Sequence, residues 1–324
     1  MSDDTAPDRH VFRDTLVSLM AEDDRVVCLD SDTGLFNGTD FGPAKGRYFN
    51  MGIAEQDLMG VAAGLAKSGR LPVVNTMATF ASTRALEFVK IDISYNAMPV
   101  RIAATHSGLS AGSLGPTHHS LEDLALMRIL PNMTVLVSAG GASTEQLFRQ
   151  SMDLPGPVYL RLGRGRTPQL PQDAPPVRIG DAQVLRHGDD VTLVACGPYP
   201  VNAALLAGDW LAELGIEASV LNMHTIKPFD VPTMVECARH ARMVVSIEEH
   251  WEVGGLGAAV AETLAGRLPV PIRRIGVSDE FISVAGDHPY LLKRAGITPA
   301  AVVTGVCDAL GIDYGTTSIA DDNA

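Results

Sequence analysis

The most informative segment of this chain reads Asn50-Met51-Gly52-Ile53-Ala54-Glu55-Gln56. It leads into a run rich in alanine and glycine that ends at Gly69, a residue type that commonly terminates a helix. The pattern predicts a helix over 54–68, and its small side chains favour close packing, so we expect the helix to be buried. Glu55 would then be poorly solvated in the first turn, where a carboxyl can share a proton with a ring nitrogen. Alternatively, Glu55 only stabilises the helix by interacting with its dipole.

Short apolar runs alternate with amphipathic stretches along both halves of the chain. Because 324 residues exceed what one hydrophobic core usually supports, we expect two domains. The alternation predicts an α/β fold with two doubly wound domains, each with a mostly parallel sheet flanked by helices. The predicted strands lie near 25–30, 71–75, 100–104, 134–138, 158–162, 191–195, 218–221, 243–247 and 272–275. The predicted helices lie near 9–22, 54–68, 80–95, 120–130, 143–151, 201–214, 231–239, 255–266 and 298–310.

A proline-rich stretch separates the two halves. Residues 167–176 contain four prolines, and neither a helix nor a sheet tolerates proline at that density. We therefore predict one domain at 1–166 and a second at 180–316, joined by a linker at 167–179. The small polar residues at 317–324 predict a flexible tail.

The composition makes several classes of partner unfavourable. A formal net charge of −13 argues against nucleic acids and anionic membranes as partners. Cys28, Cys196, Cys237 and Cys307 show no paired spacing, which is typical of a reducing compartment. The acidic start of the chain predicts no secretory signal, and no apolar run approaches the roughly 20 residues that span a bilayer. We expect a soluble cytoplasmic protein.

Several segments of the chain resemble the transketolase family and occur in the family's order. They are Tyr48–Gln56, Thr105–Gly108, Gly115–His118, Leu130–Met133, Ile226–Asp230, Glu248–His250 and Gly254–Gly257. The resemblance extends over nearly the whole chain. It implies a pyrimidine-binding domain for thiamine diphosphate at 1–166 and the family's C-terminal domain at 180–316.

The resemblance assigns the family's cofactor-activating glutamate to Glu55. Thiamine diphosphate carries the difficult carbon chemistry, and a glutamate beside its pyrimidine nitrogen promotes that chemistry by sharing a proton. The segment 79–84 follows a predicted strand, at the edge where ligands bind in open α/β sheets. In the family this segment places an aromatic ring against the pyrimidine, so Phe80 and Arg84 are candidate cofactor contacts. Phe80 alternatively belongs to the core.

His106 and His118 flank a glycine-rich loop that permits close approach of a substrate. Histidines there can bind sugar hydroxyls and transfer protons near neutral pH, or they can be structural. A metal pair is a further alternative, but no third ligand lies at a recognisable spacing, so we predict no metal site in this chain. The resemblance places both histidines in the family's substrate channel and favours catalysis.

Leu114 departs from the family pattern. An alignment of the two histidines without a gap puts this leucine where typical transketolases carry an aspartate that binds a substrate hydroxyl. A leucine cannot accept that hydrogen bond, and burying an unpaired hydroxyl costs roughly 1–3 kcal/mol. We therefore expect a substrate that lacks this hydroxyl or carries it with inverted configuration.

Arginines are clustered near the end of the last strand of the first half, as Arg161, Arg164 and Arg166. Guanidinium groups bind phosphate with two hydrogen bonds at once, although surface arginines are more commonly only solvated. The resemblance assigns the family's phosphate contact to Arg164. Arg161 is predicted to join it, and Arg9, near the start of the first helix, is a second match to the family.

The chain contains no Gly-Asp-Gly sequence, with which the family holds the diphosphate and its metal ion. The resemblance therefore implies one subunit of a split transketolase. An N-terminal subunit carrying the diphosphate-binding domain would hold the diphosphate and Mg²⁺ or Ca²⁺. Active sites would lie between chains, most simply in an α2β2 assembly. The implied reaction belongs to carbohydrate metabolism and transfers a two-carbon ketol unit from a ketose or ketose phosphate to an aldose.

Two other functions remain compatible with this size and layout. The beta subunit of a 2-oxo acid dehydrogenase decarboxylase component also lacks the diphosphate motif, but Gly115–His118 and Arg164 favour transketolase. A non-catalytic assembly subunit is the second alternative, and it has no need for Glu55 and two histidines. The segment Glu248–His250 belongs to the C-terminal domain, which serves mainly assembly in the family, so we predict a structural role for it.

Overall fold

The computed structural model describes residues 6–313. Two mostly parallel sheets flanked by helices form an α/β fold, which confirms the predicted fold class. The tail predicted at 317–324 lies outside the described residues.

The first sheet has seven strands within residues 6–313. They are β1 Val26–Asp30, β2 Tyr48–Asn50, β3 Leu71–Met77, β4 Arg101–Thr105, β5 Thr134–Val137, β6 Val158–Arg161 and β10 Thr225–Lys227. Their order is β10-β5-β6-β4-β3-β1-β2, and β10 runs antiparallel to β5 while the other neighbours are parallel. Strands β1 and β4 are buried along their whole length, as expected of parallel strands covered on both faces.

The second sheet has five strands within the same described residues. They are β7 Gln183–Arg186, β8 Val191–Cys196, β9 Ala218–Asn222, β11 Met243–Trp251 and β12 Ile272–Val277. Their order is β12-β11-β8-β9-β7, with β7 antiparallel to β9 and the other neighbours parallel.

The helices flank both sheets, and all except α9 lie near predicted places. They are α1 Asp8–Glu22, α2 Glu55–Lys67, α3 Leu86–Phe88, α4 Asp123–Arg128, α5 Gly141–Ser151, α6 Pro198–Glu213, α7 Val231–Ala238, α8 Leu256–Ala265, α9 His288–Arg294 and α10 Pro299–Leu310. The helix predicted over 80–95 forms as α3 between two π-helical segments, Phe80–Arg84 and Val89–Ser94. Strands β2, β7 and β10 and helix α9 were not predicted.

Helix α2 ends as predicted but is buried on only one face. The chain leaves the helix at Gly69, whose φ of +89° suits a residue without a side chain. Glu55 and Leu58 are buried, whereas Gln56 and Asp57 are exposed. The prediction of a buried helix therefore holds for one face only, because small side chains permit close packing on every face but do not require it.

The two halves of the chain share a core. Strand β10 comes from the second half and pairs with β5 of the first sheet. One buried apolar cluster includes Val74 and Tyr159 from the first sheet together with Val194 and Leu221 from the second. Residues 167–177 form neither helix nor strand, as the prolines predict.

Candidate active site

The candidate active site lies at the carboxyl edge of the first sheet, where ligands bind in open α/β folds. Strand β3 ends at Met77 and leads into the π-helical turn Phe80–Arg84. Strand β4 ends at Thr105, and His106 begins the loop that follows. Glu55 begins α2, just after β2. Three separate segments thus bring predicted site residues to one edge.

Glu55 is a buried carboxylate at this edge. Its side chain is 2% exposed, and Arg84 donates from Nη1 to Oε2 at 2.6 Å. The residue before the helix, Ala54, makes no side-chain capping bond, and Glu55 and Asp57 are the acidic residues of the first turn of α2. The structure therefore brings Glu55 of α2 into contact with Arg84 of the π-helical turn, and both were predicted to contact the cofactor.

The π-helical turn places Phe80 and Arg84 on one face. The Ala85 amide donates to the Phe80 carbonyl at 3.1 Å, the i to i+5 bond that defines this turn and that recurs at functional sites. The Arg84 guanidinium carbon lies 4.2 Å from the centre of the Phe80 ring. The ring of His118 meets the same phenyl group edge-on, with centroids 5.3 Å apart. Glu55, Arg84, Phe80 and His118 therefore form one continuous row of contacts.

His106 has a backbone conformation that is uncommon for a residue with a side chain. Its φ is +58°, and such strain is concentrated at functional sites. Its Nδ1 lies 2.9 Å from the hydroxyl of Thr105. Burial lowers the pKa of His106 to about 3, and the positive charges of Arg9 and Arg164 contribute to the same shift. The ring is therefore neutral at pH 7 and interacts with ligands through hydrogen bonds rather than through charge.

The loop between the two histidines is closed at its base and open at its tip. Gly108 and Ser120 exchange two backbone hydrogen bonds of 3.0 and 2.8 Å at the base. Leu114 ends a short 3₁₀ turn at the tip and is 40% exposed. His118 is intermediate in exposure, and its Nδ1 lies 2.9 Å from the Thr117 hydroxyl. The exposed part of the loop thus carries an apolar side chain and, four residues later, a partly exposed imidazole.

Arg9 and Arg164 are neighbouring guanidinium groups. Burial, together with the charge of Arg164, lowers the pKa of Arg9, and the Nε of Arg9 is buried without a hydrogen-bond partner. Arg164 donates from Nη1 to the carbonyl of Ala111 at 3.0 Å, which leaves most of its donors for a ligand. Within residues 6–313 neither guanidinium is paired with a carboxylate. Both charges act on His106, so this pair of arginines adjoins that histidine.

Arg161, in contrast, does not belong to this site, and its prediction as a phosphate ligand was wrong. The side chain is 3% exposed and donates from Nε to Asp123 at 2.8 Å. Its Nη2 donates to the carbonyls of Ser120 and Glu249. Burial alone would lower the pKa of Arg161, but the adjacent Asp123 raises it overall. Arg161 is the last residue of β6, whose four residues are all buried. Its place within the predicted strand at 158–162 is the sequence signal against phosphate binding.

Asp32 lies at the same edge but was not predicted. Its φ is +59°, and its carboxylate accepts a hydrogen bond of 2.8 Å from Asn50 Nδ2. Asn50 in turn accepts from the amide of Gly52, which shortly precedes α2. The available signal was a pair of aspartates, Asp30 and Asp32, at the carboxyl end of β1.

Two further properties concern the described residues as a whole. Across residues 6–313, no three histidine, cysteine, aspartate or glutamate side chains are arranged to hold a metal ion. No helix in the same range is long and apolar enough to cross a membrane.

Sequence comparison identifies the family. The transketolase pyrimidine-binding domain matches residues 6–169, and the transketolase C-terminal domain matches residues 180–302. Fold and sequence thus define a transferase whose family uses thiamine diphosphate. The chain belongs to the transketolase family, which confirms the predicted resemblance.

Several relatives are named as transketolase subunits. A 6-deoxy-6-sulfo-D-fructose transketolase subunit of Clostridium sp. is 38% identical, covering 91% of this chain and 93% of the relative. An apulose-4-phosphate transketolase subunit of Phocaeicola vulgatus is 39% identical, with 91% and 96% covered. A solved structure described as a split gene transketolase, inactive beta4 tetramer, is 41% identical and superposes with a TM-score of 0.85 over 96% of this chain and 100% of that one.

Proposed function

We propose that this chain is the pyrimidine-binding subunit of a split transketolase that acts on sugar phosphates. The observation that carries the proposal is the row of contacts from Glu55 through Arg84 and Phe80 to His118, beside the anion site of Arg9 and Arg164. In the reaction, the donor ketose loses its first two carbons and becomes a shorter aldose. The aldehyde carbon of the acceptor gains this unit, with no net oxidation.

The residues at the edge fit a pyrimidine ring. Glu55 supplies a buried carboxylate for a ring nitrogen, and Phe80, which is only partly buried, supplies an aromatic face. Arg84 lies between them and holds the carboxylate in one orientation. When bound, thiamine diphosphate supplies the electron sink for breaking and forming the carbon–carbon bond. Glu55 contributes by holding a proton at the pyrimidine nitrogen.

The two histidines have different roles in this proposal. His106, neutral and adjacent to both arginines, donates or accepts hydrogen bonds to the sugar hydroxyls next to the phosphate. His118 lies against Phe80 and is the histidine nearer the reacting carbons, so it accepts the hydroxyl proton when the donor bond breaks. It returns that proton to the aldehyde oxygen of the acceptor when the new carbon–carbon bond forms.

A partner subunit completes the site. The chain lacks the Gly-Asp-Gly sequence, so we assign the diphosphate and its Mg²⁺ or Ca²⁺ to an N-terminal transketolase subunit. We further propose an α2β2 assembly in the cytoplasm with an active site between each pair of unlike chains. The related beta4 tetramer, which is described as inactive, supports the view that such chains self-associate and need a partner for activity.

The deciding experiment reconstitutes the chain with a subunit that carries Gly-Asp-Gly. We expect the pair, and neither chain alone, to bind thiamine diphosphate and to transfer ketol units in a panel of ketose phosphates and aldoses. Decarboxylation of pyruvate without ketol transfer would instead identify a 2-oxo acid dehydrogenase component. Failure to bind the cofactor with any partner would identify an assembly subunit.

Replacing Arg164 tests the anion site. Arg164→Ala should raise KM for phosphorylated substrates by roughly 10- to 150-fold, because a hydrogen bond to a charged group is worth about 1.5–3 kcal/mol. KM for the corresponding unphosphorylated sugars should stay unchanged. Arg164→Lys keeps the charge but loses the planar guanidinium, so its KM for phosphorylated substrates should lie between those of the unmodified enzyme and Arg164→Ala. An equal rise for both kinds of sugar would contradict the phosphate role.

Replacing Leu114 tests substrate selection. Leu114→Asp should improve kcat/KM by roughly tenfold for sugars with the hydroxyl that typical transketolases bind, because a polar partner replaces an apolar one. Ser113→Asp adds the same charge one residue away and should not change the preference. Steady-state kinetics on pairs of epimeric sugars provide the measurement. An ordinary sugar-phosphate preference in the unmodified enzyme would refute the role of Leu114.

A further inference from the structure

Glu249 belongs to strand β11 of the second sheet but contacts the loop of the first domain that carries the histidines. We call residues 106–118 the substrate loop. Glu249 is 5% exposed, and its Oε1 accepts a hydrogen bond of 2.5 Å from the amide of Leu109. The same oxygen lies 2.8 Å from Nε2 of His288, at the start of α9. One carboxylate oxygen thus joins the substrate loop to two elements of the second domain.

The packing around this contact leaves little freedom. A β-carbon added to Gly108, whose φ is +59°, would lie 2.3 Å from Oε1 of Glu249, so a side chain there would displace the carboxylate and strain the backbone. The backbone of Glu249 is fixed as well, because its carbonyl accepts a hydrogen bond of 2.9 Å from Arg161. Arg161 is itself held by Asp123. The backbone of Glu249 is therefore held in place, and its carboxylate contacts Gly108 at the base of the substrate loop.

A second set of contacts joins the loop to the segment before α9. A β-carbon built on Gly112 would lie 3.1 Å from the carbonyl oxygen of Gly286. One built on Gly115 would lie 3.8 Å from the β-carbon of Ala285. Gly112 and Gly115 border the turn that carries Leu114. The second domain consequently supports the substrate loop both at its base and at its tip.

We propose that Glu249 and His288 act as a clamp that positions the substrate loop, so that the second domain serves catalysis as well as assembly. Among the described residues, no hydrogen bond or ring contact joins Glu249 or His288 to His106 or His118, so both act as positioning residues. Leu109 follows His106 by three residues, so a displacement of the Leu109 backbone would also displace the imidazole of His106. The consequence for substrates rests on the proposed function, whereas the clamp itself does not.

The charges around Glu249 suit such a clamp. Burial alone would raise the pKa of Glu249, but His288, Arg161 and the Leu109 amide lower it overall. The carboxylate therefore remains ionised at neutral pH and accepts strong hydrogen bonds. An ionised acceptor binds a backbone amide more strongly than a neutral one. The Glu249 carboxylate can therefore hold the Leu109 amide, and with it the substrate loop, in one position.

The neighbouring Glu248 provides a matched control. It lies on the same strand and is 1% exposed, but its carboxylate accepts from the amides of Leu256 and Gly257 at 2.6 and 2.8 Å. These amides begin α8, so Glu248 caps a helix within its own domain instead of holding the substrate loop. Replacing either glutamate removes a buried, hydrogen-bonded carboxylate, and only one of them belongs to the clamp.

Hydrogen exchange on the isolated full chain tests the clamp without substrate. In Glu249→Ala, exchange of the amides in 107–113 should accelerate by about tenfold or more, because a protecting acceptor is lost and the loop opens locally. In Glu248→Ala, these amides should exchange as in the unmodified chain, while those at the start of α8 accelerate. If either alanine variant does not fold, Glu249→Asp and Glu248→Asp replace the pair. Equal exchange of the loop in the two variants would overturn the proposal.

Kinetics of the reconstituted enzyme test the consequence. Glu249→Ala should lower kcat/KM by about 100-fold through displaced loop residues, with unchanged affinity for thiamine diphosphate. Glu249→Gln should recover most of the activity, because its amide oxygen still accepts from Leu109. A loss of cofactor affinity in proportion to the loss of kcat/KM would indicate a merely structural role and overturn the proposal. If the unmodified pair transfers no ketol unit, the exchange experiment still decides the clamp, and the proposed function fails separately.

Discussion

Glu55→Gln is expected to reduce kcat by about 10²- to 10⁴-fold while leaving the fold intact. Glutamine has nearly the same shape as glutamate, so it keeps the packing at the start of α2. Its amide, however, cannot share an acidic proton with a pyrimidine nitrogen. The measurement is ketol transfer by the variant chain with its partner subunit and saturating thiamine diphosphate, alongside thermal unfolding of the chain alone.

Asp57→Asn is the matched control for this experiment. Asp57 lies in the same helical turn but is exposed, so its carboxylate also interacts with the dipole, an effect of about 0.3–1 kcal/mol. The control should therefore lose a little stability and keep full activity. Retention of most activity in Glu55→Gln would show that Glu55 only stabilises the helix, and its assignment to the cofactor would be wrong.

Arg161→Ala is expected to lower the free energy of unfolding by about 3–5 kcal/mol, because it leaves the carboxylate of Asp123 buried without its counter-charge. The loss should appear in urea-induced unfolding followed by circular dichroism. Arg164→Ala is the control, since Arg164 is only partly buried and has no carboxylate partner among the described residues. It should change stability far less.

A double substitution separates the buried charge from the buried volume. Arg161→Met combined with Asp123→Leu replaces the ion pair by apolar groups, which is often nearly neutral for stability. We therefore expect the double variant to be more stable than Arg161→Ala. If Arg161→Ala unfolds at the same urea concentration as Arg164→Ala, the ion pair with Asp123 contributes little to stability. A structural role for Arg161 in place of phosphate binding would then lose its support.

Much of the fold was predictable because buried parallel strands appear as short apolar runs. The unpredicted strands β2 and β10 each have three residues, and their pairing is determined by neighbouring strands rather than by their own sequence. Helix α9 carried a recognisable start, since Asp287 accepts from the amide of Tyr290 and a proline follows. That signal was available in the sequence and was not used.

The site was predictable where a motif fixes the local geometry and not where distant segments meet. Glu55 and His106 lie at the ends of predicted elements, so their meeting at one edge follows from the parallel topology. A cluster of arginines does not reveal which member points inward, and so Arg161 was misassigned. Glu249 and Leu109 are 140 residues apart, and only the packing of the two domains brings them together.

Strand β10 also determines whether the chain can be divided. It covers the side of β5 that would otherwise present unpaired backbone groups to solvent. A fragment that stopped in the proline-rich linker would lack this cover and carry a hydrophobic edge strand, a feature that promotes aggregation. The proline-rich linker is therefore a poor place to divide the chain. Biophysical experiments should use a chain that contains both halves.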